Sequence, residues 1–233
     1  MLLNELIGKS LITVQRKLNP ALWIQHSIKP DIQEKLLEIS DAFIEFVGID
    51  LDVQDITLTG SSANFTWTEH SDIDIHIIVP GIPTDEEREL YNAKKALWSS
   101  EHDISIKGMP VECYVQGQDE PHHSTGVYSI LNDDWITTPT FRKPKVNDTN
   151  IRLKTDALMH IIEDALLTKD LEKLKAVKYK IIKMRKAGLK KNGEWGTENL
   201  VFKLLRNLGM IDQISDKIIE LEDSELSLEH TDI

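Results

Sequence analysis

The sequence has little of several features that would assign a protein to a class at once. It has a single cysteine, Cys113, so no disulfide can form within the chain, which fits a reducing compartment better than secretion. The N-terminal stretch is too polar for a signal peptide. No run approaches the roughly 18 apolar residues of a membrane-spanning helix. These absences predict a cytoplasmic protein that does not engage a membrane.

Positive charge and aromatic residues are also scarce. The 233 residues include 27 Lys and Arg against 39 Asp and Glu, a formal net charge of −12, and aromatic residues make up 6%. Each phosphate contact along a nucleic acid needs a cation, so we expect no long DNA track, and any RNA contact must use a local basic patch. No RNA-reading module with stacked aromatic side chains is recognisable.

The hydrophobic pattern that is present predicts an α+β fold. A small mixed β-sheet module with flanking helices, residues 1–140, should precede an all-helical C-terminal module, residues 141–233. Helices are expected at 31–47, 84–99, 151–167, 171–186, 197–208 and 211–221, and strands at 55–59, 72–79, 104–106 and 111–116.

Several finer features also follow from the sequence. Asp31 follows a proline and is expected to cap the first helix, and Gly48 to end it. Trp23 and Ile24 are expected to pack the N-terminal stretch onto the body of the protein. Residues 61–65 are expected to form one or two helical turns. Residues 117–150 are expected to be mostly loop around one apolar piece, Val127 to Leu131.

The segment with the clearest chemical content is DIDIHIIV. Residues two apart on a strand point to one face, so the carboxylates of Asp72 and Asp74 should project side by side. Two adjacent carboxylates repel each other unless a proton or cation lies between them, and Mg²⁺ prefers one or two carboxylates together with substrate phosphates. The pair therefore predicts a metal–triphosphate site. A solvated strand face is the alternative.

Two further features strengthen this interpretation. Gly60 and Ser61 follow one strand directly, where a glycine lets the backbone approach a phosphate and a hydroxyl can donate to it. Glu112 interrupts an apolar strand, and it would join the aspartates if the two strands pair, forming a cradle for two metal ions. The alternatives are an ordinary turn glycine and a surface glutamate on an edge strand.

Together these residues resemble a known superfamily. Gly60 and Ser61, then about ten residues, then Asp72 and Asp74 on a strand, then Glu112 on a later strand, look like the DNA polymerase β-like nucleotidyltransferases. The stretches LNPALW, GSSANFTWTEHSDIDIH and NLVFKLLRN are also similar to uncharacterised nucleotidyltransferase-like proteins of bacteriophages. That second likeness suggests the cytoplasm of a bacterium or of a phage-infected host.

The resemblance implies a function. It predicts an enzyme that binds an NTP such as ATP with Mg²⁺ (or Mn²⁺) and transfers a nucleoside monophosphate to an acceptor hydroxyl, releasing pyrophosphate. It implies that Asp72 and Asp74 bind both metals and the triphosphate. Glu112 would bind the catalytic metal and help to activate the acceptor hydroxyl. The residues that bind the acceptor are not recognisable from the resemblance.

The acceptor is open at this stage. An RNA end and a protein hydroxyl rank first, ahead of a small molecule of the antibiotic type, and a second nucleotide is a further possibility. Two other classes compete with transfer. One is a non-catalytic nucleotide- or partner-binding protein on the same scaffold, and the other is a metal-dependent phosphohydrolase or nuclease.

Weaker signals lie outside this segment. The stretch Lys169–Lys191 has ten Lys or Arg against two acids, so Lys178 is a candidate for binding the triphosphate or an RNA backbone, and Arg206 is another. A solvated helix is the alternative. His76, Trp67, His122 and His123 could line the cleft, although structural roles for His76 and Trp67 explain them as well, and a zinc site is not expected.

Overall fold

The computed structural model describes residues 14–69, 71–120, 124–141, 148–193 and 195–227. The chain divides into two compact units. The first spans Thr13–Lys143, and the described part of the second begins at Asp148. The boundary predicted from the sequence, between residues 140 and 141, stays a prediction.

The first unit is built on a mixed sheet of six strands. From one edge to the other these are β5 (Ser105–Ile106), β6 (Met109–Gly117), β4 (Ile73–Val79), β3 (Asp55–Thr59), β7 (Val127–Ser129) and β8 (Asp134–Thr137). β4 pairs antiparallel with β3 and parallel with β6, so the predicted neighbours are adjacent. A parallel pair needs a crossover connection, which α2 (Asp85–Glu101) supplies together with β5. The predicted α+β fold is confirmed.

Strand β4 shows the burial alternation that its sequence predicts. Ile73, Ile75 and Ile77 are fully buried, whereas Asp74 and His76 between them are half-buried. Successive residues of a strand point to opposite faces, so the isoleucines join the core of the unit and the polar residues remain accessible. Asp74 and His76 therefore lie on an accessible face of β4, which is an inner strand of the sheet.

Two helices flank the sheet, and their ends differ in how well the sequence predicts them. α2 begins after Thr84, whose hydroxyl accepts from the Glu87 N–H while the Glu87 carboxylate accepts from the Thr84 N–H. α1 (Pro30–Val47) ends at Gly48 in the left-handed conformation, as expected. The prediction that Asp31 caps α1 is wrong, because Lys29 is the N-cap residue. Asp31 lies in the first turn, where the helix dipole stabilises its negative charge.

The N-terminal stretch contains a feature that the sequence does not signal, a two-stranded hairpin of β1 (Trp23–Ile24) and β2 (Ser27–Ile28). Trp23 is buried, and its ring stacks on Trp135 with centroids 4.9 Å apart. Ile24 is 59% exposed, so its predicted packing is wrong. Successive residues of a strand face opposite sides, so only one of the two can reach the core.

The predicted helical turns at residues 61–65 are also wrong, since this segment consists of hydrogen-bonded turns without a helix. The side-chain oxygen of Asn64 accepts from the Phe65 N–H at 2.7 Å, and its amide contacts Thr125. Such local side-chain bonds compete with a helical ladder. The loop expected after residue 117 contains β7 and β8, of which β8 is a short and largely exposed edge strand with little hydrophobic signal.

The described part of the second unit is helical, as predicted. Its helices are α3 (Asp148–Thr168), α4 (Leu171–Asn192), α5 (Thr197–Asn207) and α6 (Met210–Leu226). They share a core of their own, to which α4 contributes Leu174, Val177 and Ile181. No helix of the described residues is long and apolar enough to cross a membrane.

Candidate active site

The register of the sheet brings two of the predicted acids together. Asp74 of β4 pairs directly with Glu112 of the parallel strand β6. Neighbouring strands lie about 4.8 Å apart, so the two residues start from adjacent backbone positions. Asp72 precedes β4 by one residue and is half-buried, as Asp74 and Glu112 are. All three belong to the first unit.

Gly60 closes this group from the side of β3. It follows Thr59, the register partner of Asp74, and has a φ of 71°. A Cβ atom at Gly60 would lie 2.1 Å from Oδ2 of Asp74, so a residue with a side chain does not fit while the carboxylate keeps its place. The glycine is required by both its backbone conformation and this close approach.

A serine-rich turn holds the chain between Gly60 and Asp72. The Ser61 hydroxyl donates to the Ser71 hydroxyl at 2.9 Å, and Ser71 Oγ also accepts from the Thr68 N–H at 2.9 Å. Ser62, which is fully buried, donates to the backbone carbonyl of Asp72 at 2.5 Å. The start of β4 and its first acid are therefore fixed by hydrogen bonds from the turn that follows Gly60.

Lys95 and Tyr114 both contact Glu112. The Lys95 ammonium of α2 lies 2.7 Å from Glu112 Oε2, and the Tyr114 hydroxyl donates to the same oxygen. The Lys95 Nζ also lies 3.6 Å from the centroid of the Tyr114 ring, a cation–π contact. One side of the tyrosine ring thus carries a cation that is shared with the carboxylate.

The electrostatics of Tyr114 show how much negative charge gathers here. The pKa of its hydroxyl is raised well above the ordinary value, first by burial, then by the charge of Asp74, by the hydrogen bond and charge of Glu112, and by the charge of Asp72. Each carboxylate disfavours a nearby phenolate. The three acids therefore act on one hydroxyl, which remains protonated and able to donate.

The donor set has the chemistry that a hard divalent cation requires, since carboxylate oxygens are the ligands that Mg²⁺ prefers. The arrangement is nevertheless incomplete: within the described ranges, no group of three His, Cys, Asp or Glu is disposed to hold a metal ion. Glu112 contacts an ammonium and a hydroxyl instead. Asp72 and Asp74 would hold a cation beside Gly60, and Glu112 would join them on exchanging Lys95 for the metal.

The remaining predicted residues have varied positions. His76 Nδ1 contacts the Gln116 amide oxygen, and its ring stacks on Tyr114 at 4.9 Å, which indicates a supporting role. The Trp67 indole N–H donates to the Lys17 carbonyl at 2.8 Å, which favours the packing alternative. His122 and His123 lie outside the described residues. Lys178 and Arg206 belong to the second unit, and their binding of the triphosphate stays a prediction.

Two residues near the acids carry no recognisable signal in the sequence. Lys95 is one of several charged residues on α2, and only the crossover between β4 and β6 brings it to Glu112. Ser124, 64 residues after Gly60, accepts from the Gly60 N–H at 3.2 Å. A helical wheel drawn around Tyr91 and Trp98, the buried residues of α2, identifies the lysines beside the buried face as candidates for contact with the acids.

Comparison with known proteins agrees with this geometry. Residues 36–107 match the family model of the nucleotidyltransferase domain, a range that includes Gly60, Asp72 and Asp74 and ends before Glu112. Comparison with curated proteins gives no significant match. A solved structure of a STING-associated CdnE c-di-GMP synthase from Capnocytophaga granulosa aligns over 88% of this chain and 85% of that chain, with 13% identity. Its TM-score of 0.24 is too low to relate the two folds. By this match, residues 36–107 are similar to a nucleotidyltransferase domain, as the motif of Gly60, Asp72 and Asp74 predicts.

Proposed function

We propose that this protein transfers a nucleoside monophosphate from an NTP to an acceptor hydroxyl, with a divalent cation held by Asp72, Asp74 and Glu112. The observation that carries the proposal is the register of β4 and β6, which makes Asp74 and Glu112 direct neighbours beside Gly60. The match to the nucleotidyltransferase family supports nucleotidyl transfer as the general reaction.

The reaction balances as a substitution at phosphorus. The acceptor oxygen forms a bond to the α-phosphorus, the bond from that phosphorus to the bridging oxygen breaks, and pyrophosphate leaves. A bound divalent cation supplies charge neutralisation for the phosphate oxygens and lowers the pKa of an oxygen that it contacts. We assign to Glu112 the role of taking the proton of the acceptor hydroxyl, because 37% of its side chain is exposed even in the ion pair with Lys95.

The turn after β3 is proposed to hold the triphosphate. Because Gly60 has no side chain, a phosphate can come close to the backbone next to Asp74. The Ser61 hydroxyl lies in the same turn. The Ser61 hydroxyl would exchange its bond with Ser71 for one with a phosphate oxygen. This keeps the donor satisfied in both states, which is the condition for a half-buried hydroxyl.

The first experiment measures nucleotide transfer with purified protein. We expect pyrophosphate release from at least one NTP, with Mg²⁺ or Mn²⁺ required, and loss of release in Asp72→Asn combined with Asp74→Asn. Asp41→Asn, an exposed acid of α1, is the matched control and should retain full activity. Circular dichroism and thermal unfolding establish that both variants are folded.

The same assay separates the rival classes. A phosphohydrolase would release inorganic phosphate from the NTP, and a nuclease would cut nucleic acid without any NTP. A non-catalytic nucleotide-binding protein would bind Mg²⁺ and NTP in calorimetry without releasing pyrophosphate. Any of these results, obtained with folded protein and a host lysate as the source of acceptors, would contradict the proposed transfer.

The acceptor is proposed to be an RNA end or a protein hydroxyl, ahead of a small molecule. Incubation with each α-labelled NTP and a host-cell lysate should place the label in the RNA or the protein fraction. A new labelled small molecule, separated from the unreacted NTP, would instead indicate an antibiotic-type acceptor or a second nucleotide. The fraction that is labelled decides between these acceptors directly.

A further inference from the structure

One face of α4 differs in charge from the rest of this acidic protein. From residue 173 to its end, the helix has no Asp or Glu. Tyr179, Lys183, Lys186 and Lys190 follow one another at intervals of four, three and four residues, which places them on a single face. All four are exposed, and we call this set the Tyr179 face. It lies opposite the buried stripe of Leu174, Val177 and Ile181.

The lysines at the two ends of α4 have different surroundings. In the first turns, Lys173 pairs with Asp164 at 2.6 Å and Lys175 with Glu222 at 2.8 Å, so their charges are compensated within the protein. Within the described part of the chain, Lys183, Lys186 and Lys190 form no ion pair. Their positive charge is therefore presented to solvent, although the chain as a whole has a formal charge of −12.

Tyr179 adds a second, independent feature. Tyr179 is 66% exposed, so the face of its ring is open to a ligand. The Lys183 ammonium lies 5.6 Å from the ring centroid, so cation and ring form one combined surface. An exposed ring next to a row of cations is the arrangement that proteins use to stack a base while holding the adjacent phosphates.

From these observations we infer that the Tyr179 face binds single-stranded RNA, with Tyr179 stacking on a base and Lys183, Lys186 and Lys190 contacting the backbone. The inference rests on the proposed function in that it makes RNA the acceptor class. The Tyr179 face extends about 16 Å along the axis of α4, so it suits a short stretch of RNA rather than a long track. This agrees with the acidic character of the remaining chain.

The test measures RNA binding by the full chain without any transfer. Fluorescence anisotropy follows a labelled single-stranded RNA of about 12 nucleotides in EDTA and without NTP, between about 50 and 200 mM salt. Three lysine–phosphate contacts predict that log K falls with log salt with a slope of about −2. Asp72→Asn with Asp74→Asn should bind this RNA as the unmodified protein does.

Matched variants assign the binding to this face. Lys183→Gln with Lys186→Gln should weaken binding about ten-fold or more and make the salt slope shallower by about 1.4. These two lie in the middle of α4, whereas Lys190 in the last turn also stabilises the helix dipole and is left unchanged. Arg16→Gln with Lys17→Gln removes the same charge from exposed positions of the first unit and should leave binding within about two-fold.

A second pair of variants tests stacking. Tyr179→Ala should weaken binding about five-fold or more, and Tyr179→Phe should not, because the ring face is kept. Absence of binding at low salt, equal losses in the test and control lysine pairs, or equal binding by Tyr179→Ala would each overturn the inference. So would tighter binding of a polyglutamate peptide than of RNA, which would indicate an acidic protein instead.

The outcomes for this face and for the active site are distinguishable. If RNA binding fails but pyrophosphate release and labelling of protein persist, the RNA surface is wrong and the transfer stands. If RNA binds as expected but no NTP yields pyrophosphate, the Tyr179 face is supported as a binding surface and the proposed transfer is wrong.

Discussion

Replacing Gly60 by alanine tests whether the turn after β3 positions Asp74. The substitution combines a positive φ, which costs about 1–3 kcal/mol for a residue with a Cβ, with a contact of 2.1 Å between that Cβ and Asp74 Oδ2. We expect a lower melting temperature and, because the carboxylate must move, a fall in pyrophosphate release of about 100-fold.

The matched control for this prediction is Gly81→Ala. Gly81 has a φ of 68°, close to the 71° of Gly60, but a Cβ atom there would meet nothing within 4 Å. It should show the part of the stability loss that comes from the positive φ, without the loss of activity. Equal activity losses in the two variants, measured with saturating NTP, would mean that the approach of Gly60 to Asp74 has no part in the reaction.

The Lys95–Glu112 ion pair leads to a second prediction at the same scale. A cation at this position competes with a divalent ion for Glu112, so Lys95→Met should raise the affinity for Mn²⁺ in the absence of NTP by about ten-fold or more. The effect on the free energy of unfolding should be about 1 kcal/mol or less, because the pair is partly exposed.

Spin resonance of free Mn²⁺ measures this affinity without any catalysis. Lys94→Met is the control: Lys94 is the neighbouring residue, and its ammonium contacts the Phe46 carbonyl at 3.3 Å rather than an acid. Unchanged Mn²⁺ binding in Lys95→Met would show that Glu112 does not take part in holding the cation.

Whether a site residue can be predicted from the sequence depends on how far apart along the chain the residues that it contacts lie. Asp72 and Asp74 are recognisable because a strand fixes the relation of residues two apart. Glu112 is recognisable as a carboxylate in an apolar strand, although its pairing with Asp74 depends on the sheet. Lys95 and Ser124 are not recognisable, since their contacts arise only when distant segments meet.

Among whole elements, the strands of the sheet differ in how strongly the sequence specifies them. β3 has the bounds that its sequence predicts, because the alternating apolar residues Ile56 and Leu58 are followed by Gly60, where the backbone turns with a positive φ. The sequence does not predict β8, since a four-residue edge strand with mostly exposed side chains has no alternating pattern. The sequence predicts helical turns at 61–65, and the structure differs because side chains such as Asn64 bond to the backbone there.

Strand β6 has one face in the core and one face that is partly accessible. Cys113 lies on the inward face, so its reactivity tests whether that face is buried. The side chain is 1% exposed, and burial raises the pKa of the thiol to about 12. Since thiols react as thiolates, the folded protein should react with a disulfide reagent at pH 8 many times more slowly than the protein in urea. Equal rates would show that β6 does not bury this face.

The same thiol gives a signed pH dependence of stability. In the unfolded chain a cysteine ionises near pH 8.5, whereas in the fold it keeps its proton up to about pH 12. Between these values the folded state binds more protons than the unfolded state, so this contribution to the free energy of unfolding falls as the pH rises. Cys113→Ala should remove this part of the decline above pH 8.5 in urea titrations.

For the molecule as a whole, the decisive feature is that each unit has a core of its own. Ile75 is fully buried among the residues of the first core, and Leu174 is fully buried in the second. Two separate cores can unfold in separate transitions, unlike a single small domain. Replacing either residue by alanine removes buried methyl groups and should cost about 2–5 kcal/mol in the unit that contains it.

Calorimetry of the full chain tests this independence together with the location of the nucleotide site. We expect Ile75→Ala to lower one melting transition and Leu174→Ala to lower the other. A ligand that binds only the folded state stabilises it, by about 2.7 kcal/mol at a hundred times its dissociation constant. Mg²⁺ with a non-hydrolysable NTP should therefore raise the transition that Ile75→Ala lowers. A single transition lowered by both substitutions would show that the units unfold together, and a ligand shift confined to the Leu174 transition would place the nucleotide in the helical unit.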